Sequence, residues 1–203
     1  ELVLKHRVDV RFHPFIKLEG VTLKEFRSQR VEILEHSAVI FTSRTTIDNF
    51  FRICEQARIT IPEGMKYFCN TEAVALYLQK YIVYRKRKIF FADGTFSALV
   101  ELIAKHKDEK FLLTLSEPHK PELPMALEKM KLRFDKVILA RTVSADLSDV
   151  DIADYDLLVF YSPSEITSLL GAFPRPNGLP RIATFGHGTA KAAVGEGLTV
   201  SVM

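Results

Sequence analysis

Cysteine is scarce in this chain of 203 residues, which contains only Cys54 and Cys69. The two residues have no paired spacing and no accompanying histidine pattern, so they do not suggest a zinc site. Free cysteine is among the residue types that are most often buried in proteins. We therefore expect both thiols to lie in an apolar core, and we expect no bound metal.

Long hydrophobic stretches and a strong charge are also missing. No run of about eighteen apolar residues occurs, and residues 1–11 mix charged and apolar side chains instead of forming the apolar stretch of a signal peptide. We therefore expect a cytoplasmic protein without a membrane partner. The formal net charge of +3 is too small to argue for nucleic acid, and a small polyanion is equally compatible with it.

The common catalytic motifs are absent as well. The sequence has no Gly-x-Ser-x-Gly elbow, no His-Glu-x-x-His pair, no Walker glycine loop and no Gly-x-Gly-x-x-Gly after a strand. His187 lies in a glycine turn, where it is either an acid–base group or an exposed turn residue. Motifs of this kind therefore name no reaction.

What the sequence does contain is a regular alternation of short apolar runs and helical segments. Most of the runs are apolar at consecutive positions, as strands of a parallel sheet covered by helices on both faces must be. This rhythm predicts an α/β fold with doubly wound parallel sheets. Residues 117–124 and 173–180 are rich in proline and predict loops. The predicted strands are Val8–Phe12, Ala38–Phe41, Lys66–Cys69, Ile89–Ala92, Phe111–Leu115, Val137–Leu139, Leu157–Phe160, Ile182–Phe185 and Leu198–Val202.

The sequence also resembles itself. The apolar pattern of Ala38–Phe51 matches that of Leu157–Leu170, and Tyr67–Leu78 matches Ile182–Ala193 at nearly the same offset. An offset of about 120 residues is too long for a solenoid repeat but suits two similar domains. Chance similarity between two strand–helix units of a single sheet is the alternative.

Hydroxyl side chains stand where strands end and helices begin in both copies. Thr42 and Ser43 follow the first of these strands, and Ser162 and Ser164 follow its counterpart. In open α/β sheets ligands bind at the strand C-termini, and the first amides of a helix attract anions. Each hydroxyl alone could simply cap its helix. Their recurrence at equivalent ends, together with the glycine turn from Gly186 to Thr189, predicts an anion-binding site.

These segments resemble the recurrent patterns of the uroporphyrinogen-III synthase family. The likeness rests on Ala38–Ser43, Leu158–Ser164 and Ile182–Ala190, and it covers nearly the whole chain in the same order. It implies two similar domains joined by a two-stranded linker. The inserted domain would comprise residues 20–135, and residues 1–19 and 136–203 would form the other. Compared with the family, we expect an initial strand and its loop to be absent.

The resemblance also implies an activity. Uroporphyrinogen-III synthases are lyases of porphyrin and haem biosynthesis that act on hydroxymethylbilane, a linear tetrapyrrole with eight carboxylates. They remove water and close the ring with inversion of the last pyrrole, without metal or organic cofactor. A ligand of this charge suits amides, hydroxyls and helix N-termini. We expect a monomer. The implied substrate-binding residues are Thr42, Ser43, Ser162, Ser164, Gly186 and Thr189.

The sequence departs from the family pattern at the position of a tyrosine that is thought to assist water loss. Ala140 stands there, before Arg141 and Thr142, which leaves the catalytic residue unknown. An Ala140→Tyr variant should then turn over faster than the parent chain. The departure also favours an alternative, a non-catalytic two-domain protein that binds a tetrapyrrole or another small polyanion. A flavodoxin-like or receiver-like regulatory module is a third interpretation.

Overall fold

A computed structural model describes residue 5 and residues 7–173 and 180–203. Strands and helices alternate along these residues, so the predicted α/β class is confirmed. The strands are β1 (Ile16–Gly20), β2 (Ala38–Phe41), β3 (Lys66–Cys69), β4 (Ile89–Phe91), β5 (Lys110–Glu117), β6 (Arg133–Ser144), β7 (Leu157–Phe160), β8 (Arg181–Thr184) and β9 (Val200–Val202). The α-helices are α1 (Leu23–Ser28), α2 (Arg44–Ala57), α3 (Glu72–Tyr77), α4 (Phe96–Ala104), α5 (Glu122–Lys129), α6 (Pro163–Ala172) and α7 (His187–Gly195).

The chain divides into two compact units. The larger unit is continuous and spans Glu19–Arg141, whereas the smaller one combines Glu1–Leu18 with Thr142–Met203. In the described ranges, no helix is long and apolar enough to cross a bilayer.

The larger unit is built on a sheet with the strand order β1-β6-β5-β2-β3-β4. Strands β2 to β6 are joined in parallel pairs, and β2 lies between β3 and β5. Parallel neighbours require crossover connections, and α2, α3, α4 and α5 provide them. All the strand C-termini of β2 to β6 therefore point to one edge of the sheet.

Both faces of this sheet are covered. Val39 and Phe41 of β2 belong to one buried cluster, and Ala38 and Ile40 belong to a second cluster. All four side chains are completely buried, which explains why β2 is apolar at consecutive positions. Cys54 and Cys69 are free and buried, as expected. The doubly wound arrangement is thus present in the larger unit.

The smaller unit carries a parallel three-stranded sheet of order β7-β8-β9. Helices α6 and α7 contact each other, and they share one buried cluster with Leu158 and Phe160 of β7. The alternate residues Leu157 and Val159 are 40% and 43% exposed. In the described part of the chain, helices therefore cover one face of this sheet and not both, because α6 and α7 pack over the same side.

Two local predictions need correction. Residues 8–12 do not form a strand, and Phe12 is 86% exposed, because this segment has no strand partner to hydrogen-bond. The predicted loop at residues 117–124 is shorter, since α5 begins at Glu122 and holds Pro124 in its first turn, where a missing amide costs little. Residues 174–179 of the other predicted loop lie outside the described residues.

Candidate functional site

The C-terminal edge of the larger sheet is assembled by hydrogen bonds between loops. The amide of Asn70, just after β3, donates to the carbonyl of Phe41 at the end of β2, at 3.2 Å. The amide of Gly94, after β4, donates in turn to the carbonyl of Asn70 at 2.8 Å. Three consecutive strand ends are thereby brought side by side, with Thr42 and Ser43 at the first of them.

Ser43 caps helix α2 at this edge. Its hydroxyl accepts a hydrogen bond from the amide of Thr46 at 3.2 Å, and both Thr42 and Ser43 are half-buried. Helix α2 has 14 residues, and its apolar stripe of Ile47, Phe50 and Ile53 anchors it to the sheet. Its first amides and its positive dipole end therefore lie at the strand edge, where they favour an anion.

Ser162 occupies the corresponding place in the smaller unit and starts a capping box with Glu165, although its hydroxyl makes no capping hydrogen bond. The amide of Glu165 donates to the backbone carbonyl of Ser162 at 3.2 Å. The Glu165 carboxylate accepts from the amides of Tyr161 and Ser162 at 2.6 Å and 3.0 Å. Ser162 Oγ is buried and lacks a hydrogen-bond partner among the described residues. Ser164, the second residue of α6, is half-buried.

The glycine turn before α7 brings backbone to the strand C-termini of the smaller sheet. Gly186 has φ 80°, a left-handed conformation that favours glycine, and an added Cβ would meet nothing within 4 Å. His187 and Gly188 are exposed in the first turn of α7. Thr189 is only 3% exposed, so the open hydroxyl expected there is not observed and its side chain belongs to the interior.

Unpaired buried polar atoms mark the strand ends of each unit. In the part of the chain that the structure describes, four buried side-chain atoms lack a hydrogen-bond partner: Asn70 Oδ1, Arg141 Nε, Ser162 Oγ and Thr184 Oγ1. Asn70 directly follows β3, Thr184 ends β8, Ser162 follows β7, and Arg141 faces the last residue of β5 across the sheet. Buried polar groups are nearly always paired, so exceptions need an explanation. Three of the four lie at or just after a strand end, and Arg141 pairs with the last residue of β5, which is the edge where ligands bind in open α/β sheets.

Sequence reasoning found Ser162 but missed the other three residues. Asn70 and Thr184 could have been suspected from their position at the end of an apolar run. Ala140, the residue at the family's tyrosine position, is completely buried on β6. A side chain at this position therefore lies in the packed interior of the larger unit.

An aromatic pair accompanies the hydroxyls of the smaller unit. The rings of Tyr161 and Phe185 stack with centroids 4.7 Å apart and an interplanar angle of 8°. Both side chains are about three-fifths exposed, at 61% and 60%. They follow β7 and β8 directly, so a flat apolar surface lies beside Ser162 and Gly186.

A separate cavity of about 360 Å³ lies on the outer side of α2, lined among others by Phe51, Arg52 and Tyr81. One of its two carboxylates, Asp48, already accepts hydrogen bonds from Tyr77 and Lys80, both at 2.9 Å, and from Tyr81. The strand ends, where polar groups lack partners, are therefore the better candidate for the functional site. No group of three or more potential metal ligands occurs among the described residues.

A sequence model of the family described as "Uroporphyrinogen-III synthase HemD" matches residues 1–203. The chain belongs to the uroporphyrinogen-III synthase family. Two solved structures of such enzymes share its fold. One, uroporphyrinogen-III synthetase from Helicobacter pylori, is 15% identical with a TM-score of 0.59, over 95% of this chain and 88% of that one.

The other is a mutant uroporphyrinogen III synthase from the extremely thermophilic bacterium Thermus thermophilus, also 15% identical, with a TM-score of 0.54 over 93% of this chain and 80% of that one. Among curated proteins, no significant match is found. At identities this low, the two solved structures show a shared fold and nothing more. Membership of the family rests on the full-length match to its sequence model.

Proposed function

We propose that this chain is a uroporphyrinogen-III synthase, a lyase that converts hydroxymethylbilane into uroporphyrinogen III in tetrapyrrole biosynthesis. The observation that carries the proposal is the match of the family's sequence model to all 203 residues. The reaction removes water from the terminal hydroxymethyl group, inverts the last ring and forms the bond that closes the macrocycle.

The strand ends suit a substrate with many carboxylates. Helices α2, α6 and α7 begin there and offer free backbone amides, and Ser162 adds an unpaired hydroxyl. We assign substrate binding to Thr42, Ser43, Ser162, Ser164, Gly186 and Thr189, the last through the backbone of the first turn because its side chain is buried. The stacked Tyr161 and Phe185 offer an apolar surface for a pyrrole ring.

Positioning accounts for most of the catalysis under this proposal. Amides and hydroxyls that are fixed before the substrate arrives hold a flexible bilane in a conformation ready for ring closure. The departing hydroxyl needs only a weak acid, and Ala140 provides none. We also propose that residues 20–135 form the inserted domain, and that the protein acts as a cytoplasmic monomer without nucleic acid.

A second candidate function is a non-catalytic protein that binds a tetrapyrrole or similar polyanion on the same scaffold. The absence of a tyrosine at Ala140 is the observation that favours it.

The two functions are separated by incubating the purified chain with hydroxymethylbilane, oxidising the products and resolving the uroporphyrin isomers by chromatography. A synthase yields isomer III in excess over the isomer I that forms without enzyme. Binding of the bilane with isomer I as the sole product would support the binding protein and overturn the synthase.

A further inference from the structure

Arg141 holds an incompletely paired guanidinium at the C-terminal edge of the larger sheet. It lies opposite Glu117, the last residue of β5, in the register of β5 and β6. Its Nη1 is 2.9 Å from Glu25 Oε1, and its side chain is 40% exposed. Its Nε is buried and has no hydrogen-bond partner within the described ranges. Nη1 is thus paired with Glu25. On the edge formed by Nε and Nη2, the Nε–H group still lacks an acceptor.

Glu25 is itself firmly fixed. Its Oε2 accepts hydrogen bonds from the amide and the hydroxyl of Thr22, at 2.7 Å and 2.8 Å, and this capping box starts α1. The backbone and side-chain hydrogen bonds from Thr22, followed by the charge of Arg141, lower the pKa of Glu25. The carboxylate therefore stays ionised near neutral pH and keeps its hold on Arg141.

Helix α1 is also attached firmly to the strand that carries Arg141. The side chain of Gln29, at the end of α1, donates to the carbonyl of Ile138 and accepts from its amide, both at 2.8 Å. Phe26 of α1 is buried in the same cluster as Leu139. The two ends of α1 thus hold β6, and the guanidinium is oriented before any ligand binds.

We propose that the Nε edge of Arg141 binds a carboxylate of the substrate, and that Glu25 is the positioning residue that aims it. The ligand class follows from the shape of the site, because a planar guanidinium edge pairs best with a planar two-oxygen anion. A bound carboxylate satisfies the buried Nε, whose unpaired state is otherwise unfavourable. This inference rests on the proposed function for the identity of the substrate, but not for the chemistry of the contact.

The alternative is that Arg141 merely ties α1 to β6. Three substitutions distinguish the two roles. Arg141→Gln removes the positive charge. Arg141→Lys keeps the charge and the ion pair but removes the planar pair of N–H donors that a guanidinium offers. Glu25→Gln keeps a residue suited to the capping box but removes the carboxylate that holds the guanidinium. The matched control is Arg133→Gln, which changes the same residue type at the opposite end of the same strand.

The experiment measures dissociation constants for uroporphyrin III, a stable porphyrin with eight carboxylates. Its own absorbance reports binding, since the protein contains no tryptophan to follow. We expect Arg141→Gln to raise the dissociation constant about tenfold or more, as loss of a charge-assisted pair does, and Arg141→Lys to raise it by a smaller factor. Glu25→Gln should raise the constant less than Arg141→Gln. The double variant with both Glu25→Gln and Arg141→Gln should bind no more weakly than Arg141→Gln alone. Arg133→Gln should leave the constant unchanged.

Circular dichroism and thermal unfolding of each variant establish that it is folded. If the Arg141 variants lower the melting temperature but bind uroporphyrin III like the parent chain, Arg141 is structural and the inference is overturned. Failure of the parent chain to bind this porphyrin overturns it too. A parent chain that binds but forms no isomer III contradicts the proposed function, while loss of binding in Arg141→Gln would still support the carboxylate contact.

Discussion

Thr184 lies opposite Phe160 in the parallel register of β7 and β8, and its buried hydroxyl has no hydrogen-bond partner among the described residues. This side chain is 3% exposed, so the unpaired oxygen is shielded from bulk water. Leaving a buried hydroxyl unpaired lowers the free energy of unfolding, because the group loses its hydrogen bonds to water without gaining another.

Thr184→Val should therefore leave the protein at least as stable as the parent chain. The matched control is Thr114→Val, since the equally buried Thr114 hydroxyl donates to the carbonyl of Ile40 at 2.7 Å. That change should lower the free energy of unfolding by about 1 kcal/mol. Urea unfolding of the two variants measures both effects. A Thr184→Val variant as destabilised as Thr114→Val would show that Thr184 is paired after all.

Gly20→Ala should destabilise the larger unit. A Cβ at Gly20 would lie 1.9 Å from Asn49 Oδ1 and 2.6 Å from Arg52 Nη2. These side chains cannot simply move away, because Arg52 Nη2 donates to the carbonyl of Val21 at 2.6 Å. We expect a loss of roughly 1–3 kcal/mol in the free energy of unfolding, as for other overpacked sites. Gly64→Ala is the control, since nothing lies within 4 Å of its Cβ, and an equal loss in both variants would contradict the packing argument.

Asp135 should contribute stability that disappears in acid. Burial raises its pKa, but hydrogen bonds from Lys110 and His36 outweigh this and hold the pKa below its ordinary value. A lowered pKa stabilises the fold above the unfolded value of about 4, and this contribution is lost as the pH falls from about 4 through the folded value. Asp135→Asn should thus be less stable than the parent chain at pH 7.

The difference between Asp135→Asn and the parent chain should shrink as the pH falls below about 4. Thermal unfolding at a series of pH values measures it, with the exposed Asp149→Asn as a control from outside this network. A gap between Asp135→Asn and the parent chain that stays constant from about pH 7 to about pH 3 would mean that the ion pairs of Asp135 contribute nothing.

Ala140→Tyr should destabilise the protein and should not accelerate turnover. Ala140 is completely buried on β6, at an irregularity in its register with β5. A phenol has no space there, and overpacking typically costs about 1–3 kcal/mol or more. This replaces the expectation from family resemblance that a tyrosine would restore an acid. Thermal unfolding and turnover of hydroxymethylbilane test it, and a stable variant with faster turnover would contradict the packing argument.

Strands that consist of one continuous apolar run were predictable, and strands with exposed or polar residues were not. The bounds of β2, β3 and β7 agree with their predicted runs, because each run is apolar and ends at turn-forming or polar residues. Strand β1 was missed because four of its five residues are exposed and carry no apolar signature. Strand β6 is longer than Val137–Leu139 because pairing with β5 extends it beyond its apolar centre.

The site was only partly predictable for a similar reason. Hydroxyls between a strand and a helix can be read from local sequence, and Ser162 was found in this way. Whether an atom finds a partner depends on distant residues, as Thr184 and Arg141 illustrate. Burial of Thr189 likewise results from the packing of α7, and the sequence of the glycine turn before it does not indicate that burial.

The proposed binding of the substrate at the strand C-termini is tested by backbone amide NMR during titration with uroporphyrin III. We expect the largest shifts at Thr42–Thr46, Asn70, Arg141, Ser162–Glu165 and Gly186–Thr189. The amide signals of residues at or next to the opposite ends of the same strands, such as Ser37, Lys66 and Lys110, should not shift. Shifts concentrated at those opposite ends, or around the cavity beside Phe51 and Tyr81, would contradict the account.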